Sequence, residues 1–166
     1  DNVECRPQSG LSKADIIYEF PAEGGLTRLQ AFFYGETPDV VGPIRSARPY
    51  FIDLAREYNA VFLHHGASPA AFDYLDEGVV DDISPNTNYK IFYRESSRHA
   101  PHNSMVHFQD VWGVIRDRGV DIRFILRDDQ DPSGSALGEF GASVLFVHRL
   151  HAKLSVGVGG HINPVD

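Results

Sequence analysis

Two β-type runs separated by a double glycine constrain this chain more than any other feature. From Ala14 to Phe20 the residues alternate, with Ile16, Tyr18 and Phe20 on one face and Asp15, Ile17 and Glu19 on the other. A period of two is the signature of a strand with two distinct faces. Gly24-Gly25 supplies a turn, and Thr27 to Tyr34 reads as the returning strand, so the two runs predict a hairpin. A lone hairpin is marginal in water; it needs further strands or a covering helix.

The rest of the chain offers both. Val40 to Ser46 contains Gly42-Pro43 and reads as a short interrupted strand or a shaped loop. Pro49 to Tyr58 predicts a helix, with Phe51, Leu54, Ala55 and Tyr58 at helical spacing and proline at its first position. Ala60 to His65 is an almost unbroken apolar run, as expected of a buried central strand. Ser68-Pro69 opens a short helix that Gly78 stops. Residues 79 to 104 read as short strands and loops. The strongest helix is expected from Ser104 to Arg118, on the stripe Phe108, Val111, Trp112 and Ile115, ended by Gly119. Strands are expected at Ile122 to Leu126 and Ser143 to Val147, around a polar loop at Asp128 to Gly134. The aromatic residues Tyr50, Phe51, Phe72, Tyr74, Phe108 and Trp112 read as core. Strands outnumber helices and the two are mixed, which predicts a sheet-rich α/β fold: a mixed-sheet layered sandwich with about three helices.

A chain of 166 residues with 42% apolar residues suits one domain with a real core. The net charge of −8 argues against nucleic acid as a partner, and it makes any local cluster of arginines more informative. Cys5 is the single cysteine, so neither an intrachain disulfide nor a thiolate-rich zinc site can form. It reads as a packed or exposed thiol or, alternatively, as a lipidation point. No apolar run reaches the length of about 18 residues that argues for a spanning helix. Any membrane contact is expected only through a lipid anchor absent from this chain. The start at Asp1 rather than Met points to a fragment or a processed form.

Four polar clusters stand out: Arg6 to Gly10, Glu19 to Arg28, Gly42 to Arg48, and Arg94 with Arg98, His99 and Pro101-His102-Asn103. The runs Arg6 to Glu19 (RPQSGLSKADIIYE), Glu23 to Arg28 (EGGLTR), Gly42 to Leu54 (GPIRSARPYFIDL) and Ala100 to Asn103 (APHN) resemble, in order and at fitting separations, the YerB-like family of lipoprotein-type bacterial proteins. The resemblance covers residues 1 to 126 and extends towards 147. It implies a mixed α/β layered sandwich in an extracytoplasmic, cell-membrane-associated protein, and it implies no established catalytic residues. The chain therefore divides into a YerB-like domain, 1–147, and a divergent tail, 148–166. The tail, with Leu154 to Asp166 (LSVGVGGHINPVD), resembles the start of a Nudix-type domain without its glutamate-rich catalytic box.

From the residues alone, Arg45 and Arg48 flank the start of a helix, where unpaired N–H groups and the dipole favour an anion. Guanidinium forks there can seat a carboxylate, phosphate or sulfate, with Arg94 or Arg98 approaching from another loop. Structural pairing with Glu19, Glu23 or Asp53 is the competing explanation. Glu19 and Glu23 at one hairpin end could instead divide into general acid and base, as in glycoside hydrolysis, with His102 assisting. The histidines carry no recognised metal motif, and Pro101 interrupts the His99–His102 spacing. No metal and no cofactor are expected.

The leading expectation is a cell-envelope ligand-binding or accessory domain. It would recognise a small polar ligand, anionic or glycan-like, through a cleft formed by Arg6, Arg28, Arg45, Ser46, Arg48, His64, Arg94 and Asn103. The alternatives are a glycan-cleaving hydrolase using Glu19, Glu23 and His102, and a structural module with a protein partner. The last of these predicts an exposed apolar patch without a convergent polar pocket.

Overall fold

The computed structural model describes residues 3–34, 37–120 and 142–148. The expected hairpin is present: β1 (Ile16–Pro21) runs antiparallel to β2 (Thr27–Phe33), pairing Glu19 with Leu29 and Pro21 with Thr27. Between them Gly24 and Gly25 both take positive φ (74° and 71°), a conformation that glycine adopts without a Cβ penalty. The remaining elements are β3 (Val40–Val41), α1 (Pro49–Glu57), β4 (Ala60–Leu63), α2 (Pro69–Asp76), β5 (Asp82–Ile83), the single turn α3 (Pro85–Asn88), β6 (Phe92–Arg94), β7 (Ser104–His107), α4 (Phe108–Asp117) and β8 (Ala142–His148).

These elements build a mixed α/β sandwich. A five-stranded sheet has the order β1-β2-β8-β4-β5, with β8 parallel to β2 and antiparallel to β4. A second sheet has the order β3-β7-β6, antiparallel at both pairings. The alternation of β2 decides the layers. Leu29, Ala31 and Phe33 join β4 residues Val61 and Leu63, the second sheet (Val41, Val106) and α4 (Phe108, Val111, Ile115) in one core. Phe32 faces the other way, with Phe62, α1 (Phe51, Ile52, Ala55) and Ala71 of α2. Both faces of the larger sheet are thus covered, which accounts for the unbroken apolar run of β4.

The sequence reading departs from this structure in three places. The predicted helix at Ser104 begins at Phe108 instead. Residues Ser104–His107 form β7, where Val106 pairs with both Val41 and Phe92. Four residues with buried Ser104, Met105 and Val106 gain more from bridging two strands than from extending a helix whose apolar stripe starts at Phe108. Phe72, expected in the core, is 37% exposed on α2. The interrupted strand expected from Val40 to Ser46 contracts to two residues and continues as an extended strap. The strand expected at Ile122 to Leu126, the loop at Asp128 to Gly134 and the Nudix-like tail from Arg149 lie outside the described residues; the strand expected at Ser143 to Val147 falls within β8.

Candidate functional site

The strap Gly42–Arg48 organises the polar residues. Its backbone is fixed on three sides. Ser9 and Gly42 exchange hydrogen bonds at 2.8 and 3.2 Å, Ile44 N–H donates to the Ser104 carbonyl at 2.7 Å, and Ala47 N–H donates to Gly66 at 2.9 Å. His65 N–H returns a bond to the Arg45 carbonyl at 3.0 Å. Ile44 and Ala47 are buried, which aims the neighbouring arginines away from the core. Gly42 is obligatory here: its φ is 148°, and a Cβ would lie 2.8 Å from the Ser104 carbonyl oxygen.

Arg28 enters from β2 and Arg48 precedes α1, where Pro49 occupies the first turn. Glu23, in the hairpin turn, bridges them: Oε2 lies 3.1 Å from Arg28 Nη2, and Oε1 lies 2.5 Å from Arg48 Nε. Arg28 also donates to the Ser46 carbonyl at 3.1 Å, and Arg48 to the Ala47 carbonyl at 2.8 Å. The Arg48 hydrogen bond, with help from backbone N–H, pulls the Glu23 carboxyl down to about 2. Arg28 has its pKa lowered, first by burial and then by the positive charge of Arg48, with Arg45 adding to it.

Arg45 contacts the Nδ1 of His102 at 3.1 Å and, among the described residues, meets no carboxylate. A guanidinium can only donate, so Nδ1 accepts and the ring proton sits on Nε2, where Glu4 receives it at 2.9 Å. The thiol of Cys5 approaches the same Nδ1 at 3.0 Å. Burial raises the Cys5 pKa and lowers that of His102, so both groups are neutral at rest. Arg98 holds this N-terminal segment in place, donating to the carbonyls of Cys5, at 3.1 Å, and of Pro7.

Cys5, Ala22, Glu23, Leu26, Thr27, Arg28 and Arg45 line a cavity of about 110 Å3. A pocket for a drug-sized ligand spans about 300–1,000 Å3, so this one suits a single polar group rather than a whole molecule. A larger, open depression of about 830 Å3 along α4, bordered by Lys90, Trp112 and Arg116, contains none of the expected site residues.

The expected site residues thus fall into neighbouring networks. Arg28, Arg45, Ser46, Arg48, Glu23 and His102 meet around the strap. Arg94 and Asn103 form a second group: Arg94 donates to Asn103 Oδ1 at 2.8 Å and to His65 Nε2 at 3.1 Å, while His65 Nδ1 faces the Ser104 hydroxyl at 2.6 Å. His64 stands apart. It is buried beside Phe62, with Nδ1 on the Gly66 carbonyl at 2.8 Å and Nε2 on Asp82 at 3.2 Å. Glu19 accepts from Thr27 at 2.5 Å on the exposed side of the hairpin, a bond that lowers its pKa. Arg6 is exposed and does not line the cavity. Sequence reasoning missed Glu4 and Cys5 as partners of His102; no local pattern links residues 97 positions apart.

Residues 1–121 match the family model described as "Protein of unknown function (DUF3048) N-terminal domain". A Bacillus subtilis (strain 168) protein named "Putative lipoprotein YerB" is 39% identical over 124 residues, which is 74% of this chain and 38% of that protein. A crystal structure of YerB from Bacillus subtilis superposes with a TM-score of 0.68 at 39% identity, covering 72% of this chain and 42% of that one. The chain therefore spans about two-fifths of the length of these relatives.

Proposed function

Because this chain belongs to the DUF3048 N-terminal-domain family, whose function is unknown, we propose a role from the site itself: the domain captures the anionic end group of a larger polar ligand in the cavity between Arg28 and Arg45. The observation that carries the reading is a concentration of positive charge in a chain of net charge −8. Arg28 and Arg48 share one carboxylate, Arg45 has none among the described residues, and burial, joined by the repulsion of Arg48 and Arg45, lowers the pKa of Arg28. A carboxylate or phosphate entering between Arg28 and Arg45 relieves that repulsion and accepts charge-assisted hydrogen bonds. The small volume favours one terminal group, with the rest of the ligand lying across exposed Leu26 at the rim. The name of the Bacillus relative supports an extracytoplasmic, membrane-associated location, which makes an anionic envelope glycan or peptide a fitting ligand. Among the described residues no helix is long and apolar enough to cross a membrane.

The hydrolase reading has less support. The Thr27 and Arg48 hydrogen bonds push the Glu19 and Glu23 carboxyls down, so neither is suited to donate a proton near neutral pH. Inorganic phosphate, followed by calorimetry and thermal shift, tests the binding reading. Phosphate should raise the melting temperature of the wild type but not of Arg28→Gln or Arg45→Gln, while Arg56→Gln, whose guanidinium donates to Tyr74 on the far side of α1, should respond like the wild type. An equal response in all four proteins sinks the proposal.

A further inference from the structure

Cys5, His102 and Glu4 have a geometry that anion binding does not require. The Cys5 sulfur is 3.0 Å from His102 Nδ1, and Glu4 takes the opposite ring nitrogen at 2.9 Å. Nucleophile, base and orienting carboxylate thus stand in a row, and Cys5 lines the cavity that Arg28 and Arg45 also line. A merely packed thiol needs no base on its hydrogen and no carboxylate behind that base.

We propose that Cys5 is a nucleophilic thiol whose proton passes to His102, that Glu4 positions His102, and that Arg28 and Arg45 hold the small anionic electrophile it attacks. The class of electrophile rests on the anion-binding reading; the thiol chemistry rests on the Cys5–His102–Glu4 contacts. For a carboxylate-bearing ester, the sulfur–carbon bond forms as the carbon–oxygen bond breaks. The thiol proton travels through His102 Nδ1 to the departing alkoxide, leaving acyl-Cys5 and an alcohol, with no oxidant or reductant involved. Arg45 shares Nδ1 with the thiol, so proton arrival there displaces its guanidinium towards the incoming anion. Burial raises the Cys5 pKa, so its reactivity depends on passing the proton to His102 at 3.0 Å. The charged groups facing the pair are Glu4, Glu23, Arg28, Arg45 and Arg98.

Cys5 is the chain's one cysteine, so intact mass after alkylation of the full chain reads it alone. With iodoacetamide the sulfur displaces iodide and His102 takes the proton. The wild-type rate should level off above the lowered pKa of His102. Loss of a general base is worth about 100-fold, so His102→Gln should react about that much more slowly near neutral pH and keep accelerating into the alkaline range. Glu4→Gln, which leaves the thiol and ring in place, should fall between them with its own shifted profile. A single alkaline rise shared by all three proteins overturns the proposal, and so does an unreactive Cys5 in protein that still binds phosphate, which leaves the binding reading intact. Iodoacetate should be favoured over iodoacetamide by about tenfold more than for free cysteine, and Arg28→Gln should erase that preference. No preference alongside a His102-dependent profile overturns the anionic electrophile and, with it, the binding reading.

Discussion

Arg48 Nε lies 2.5 Å from Glu23 Oε1, so the residue preceding α1 and the turn of the β1–β2 hairpin are joined by one charge-assisted hydrogen bond. The second oxygen of Glu23 is engaged by Arg28. A single carboxylate at the cavity wall therefore already engages Arg28, one of the two guanidinium groups between which the proposed anion binds. Glu23 serves as an internal competitor as well as a brace.

Glu23→Gln should accordingly tighten phosphate binding. The amide keeps the size and an acceptor oxygen of the side chain but withdraws the competing charge. At an effective dielectric near the protein surface, one charge removed a few ångströms away is worth about tenfold or more in affinity. Calorimetry at low ionic strength measures it. A tenfold loss would mean that Glu23 touches the ligand directly.

The same carboxylate gives the fold a sensitivity to acid. Its folded pKa of about 2 lies below the ordinary 4.5, so its contribution is fully present above 4.5 and is lost as pH falls towards 2. The Glu23 side chain is 62% exposed, and solvent screening holds the contribution to less than about 1 kcal/mol. Thermal melts across this range should show the stability difference between wild type and Glu23→Gln shrinking as the carboxylate protonates.

Much of this architecture was legible because it is local. The alternation in Ile16 to Phe20, the double glycine and Thr27 gave the hairpin, and the hairpin register brings Glu23 close to Arg28. Pro49 marked the start of α1 and so placed Arg48. What failed depended on partners distant in the chain. Ser104–His107 is a strand because β3 and β6 flank it, and nothing in four residues announces two neighbours. His64 lies just past β4, which ends at Leu63 rather than His65, and Asp82 and Gly66 engage both of its ring nitrogens. Cys5 meets His102 because Arg98 holds the N-terminal segment against the loop before β7, a contact with no sequence signature.

Gly42→Ala tests the strap. The new Cβ would meet the Met105 sulfur at 2.6 Å, which can move, and the Ser104 carbonyl at 2.8 Å, which cannot without breaking its bond to Ile44. With the positive φ added, the cost is about 2–3 kcal/mol. Gly78 also has positive φ but nothing within 4 Å, so Gly78→Ala should cost only about 1 kcal/mol. Denaturant melts compare the two. Only Gly42→Ala should also weaken the phosphate response, because only it displaces Arg45.

Gln30 tests whether a polar side chain inside the sheet stabilises or weakens it. It is fully buried on β2, and its Nε2 donates to the Phe51 carbonyl at 3.0 Å. Its Oε1 has no partner among the described residues. The Phe51 carbonyl lies in α1 and can accept a helical bond from Ala55 without Gln30. Replacing Gln30 with Met, similar in length and volume, forfeits one hydrogen bond worth about 1 kcal/mol net and removes an unpaired buried oxygen whose desolvation costs about 1–3 kcal/mol. The variant should therefore be neutral or up to about 2 kcal/mol more stable, read as an unchanged or raised urea midpoint at constant slope. Gln30→Glu places an uncompensated charge at the same point and should lower the midpoint steeply. If Met instead lowered it by a comparable amount, the Gln30 amide would be a net brace between β2 and α1.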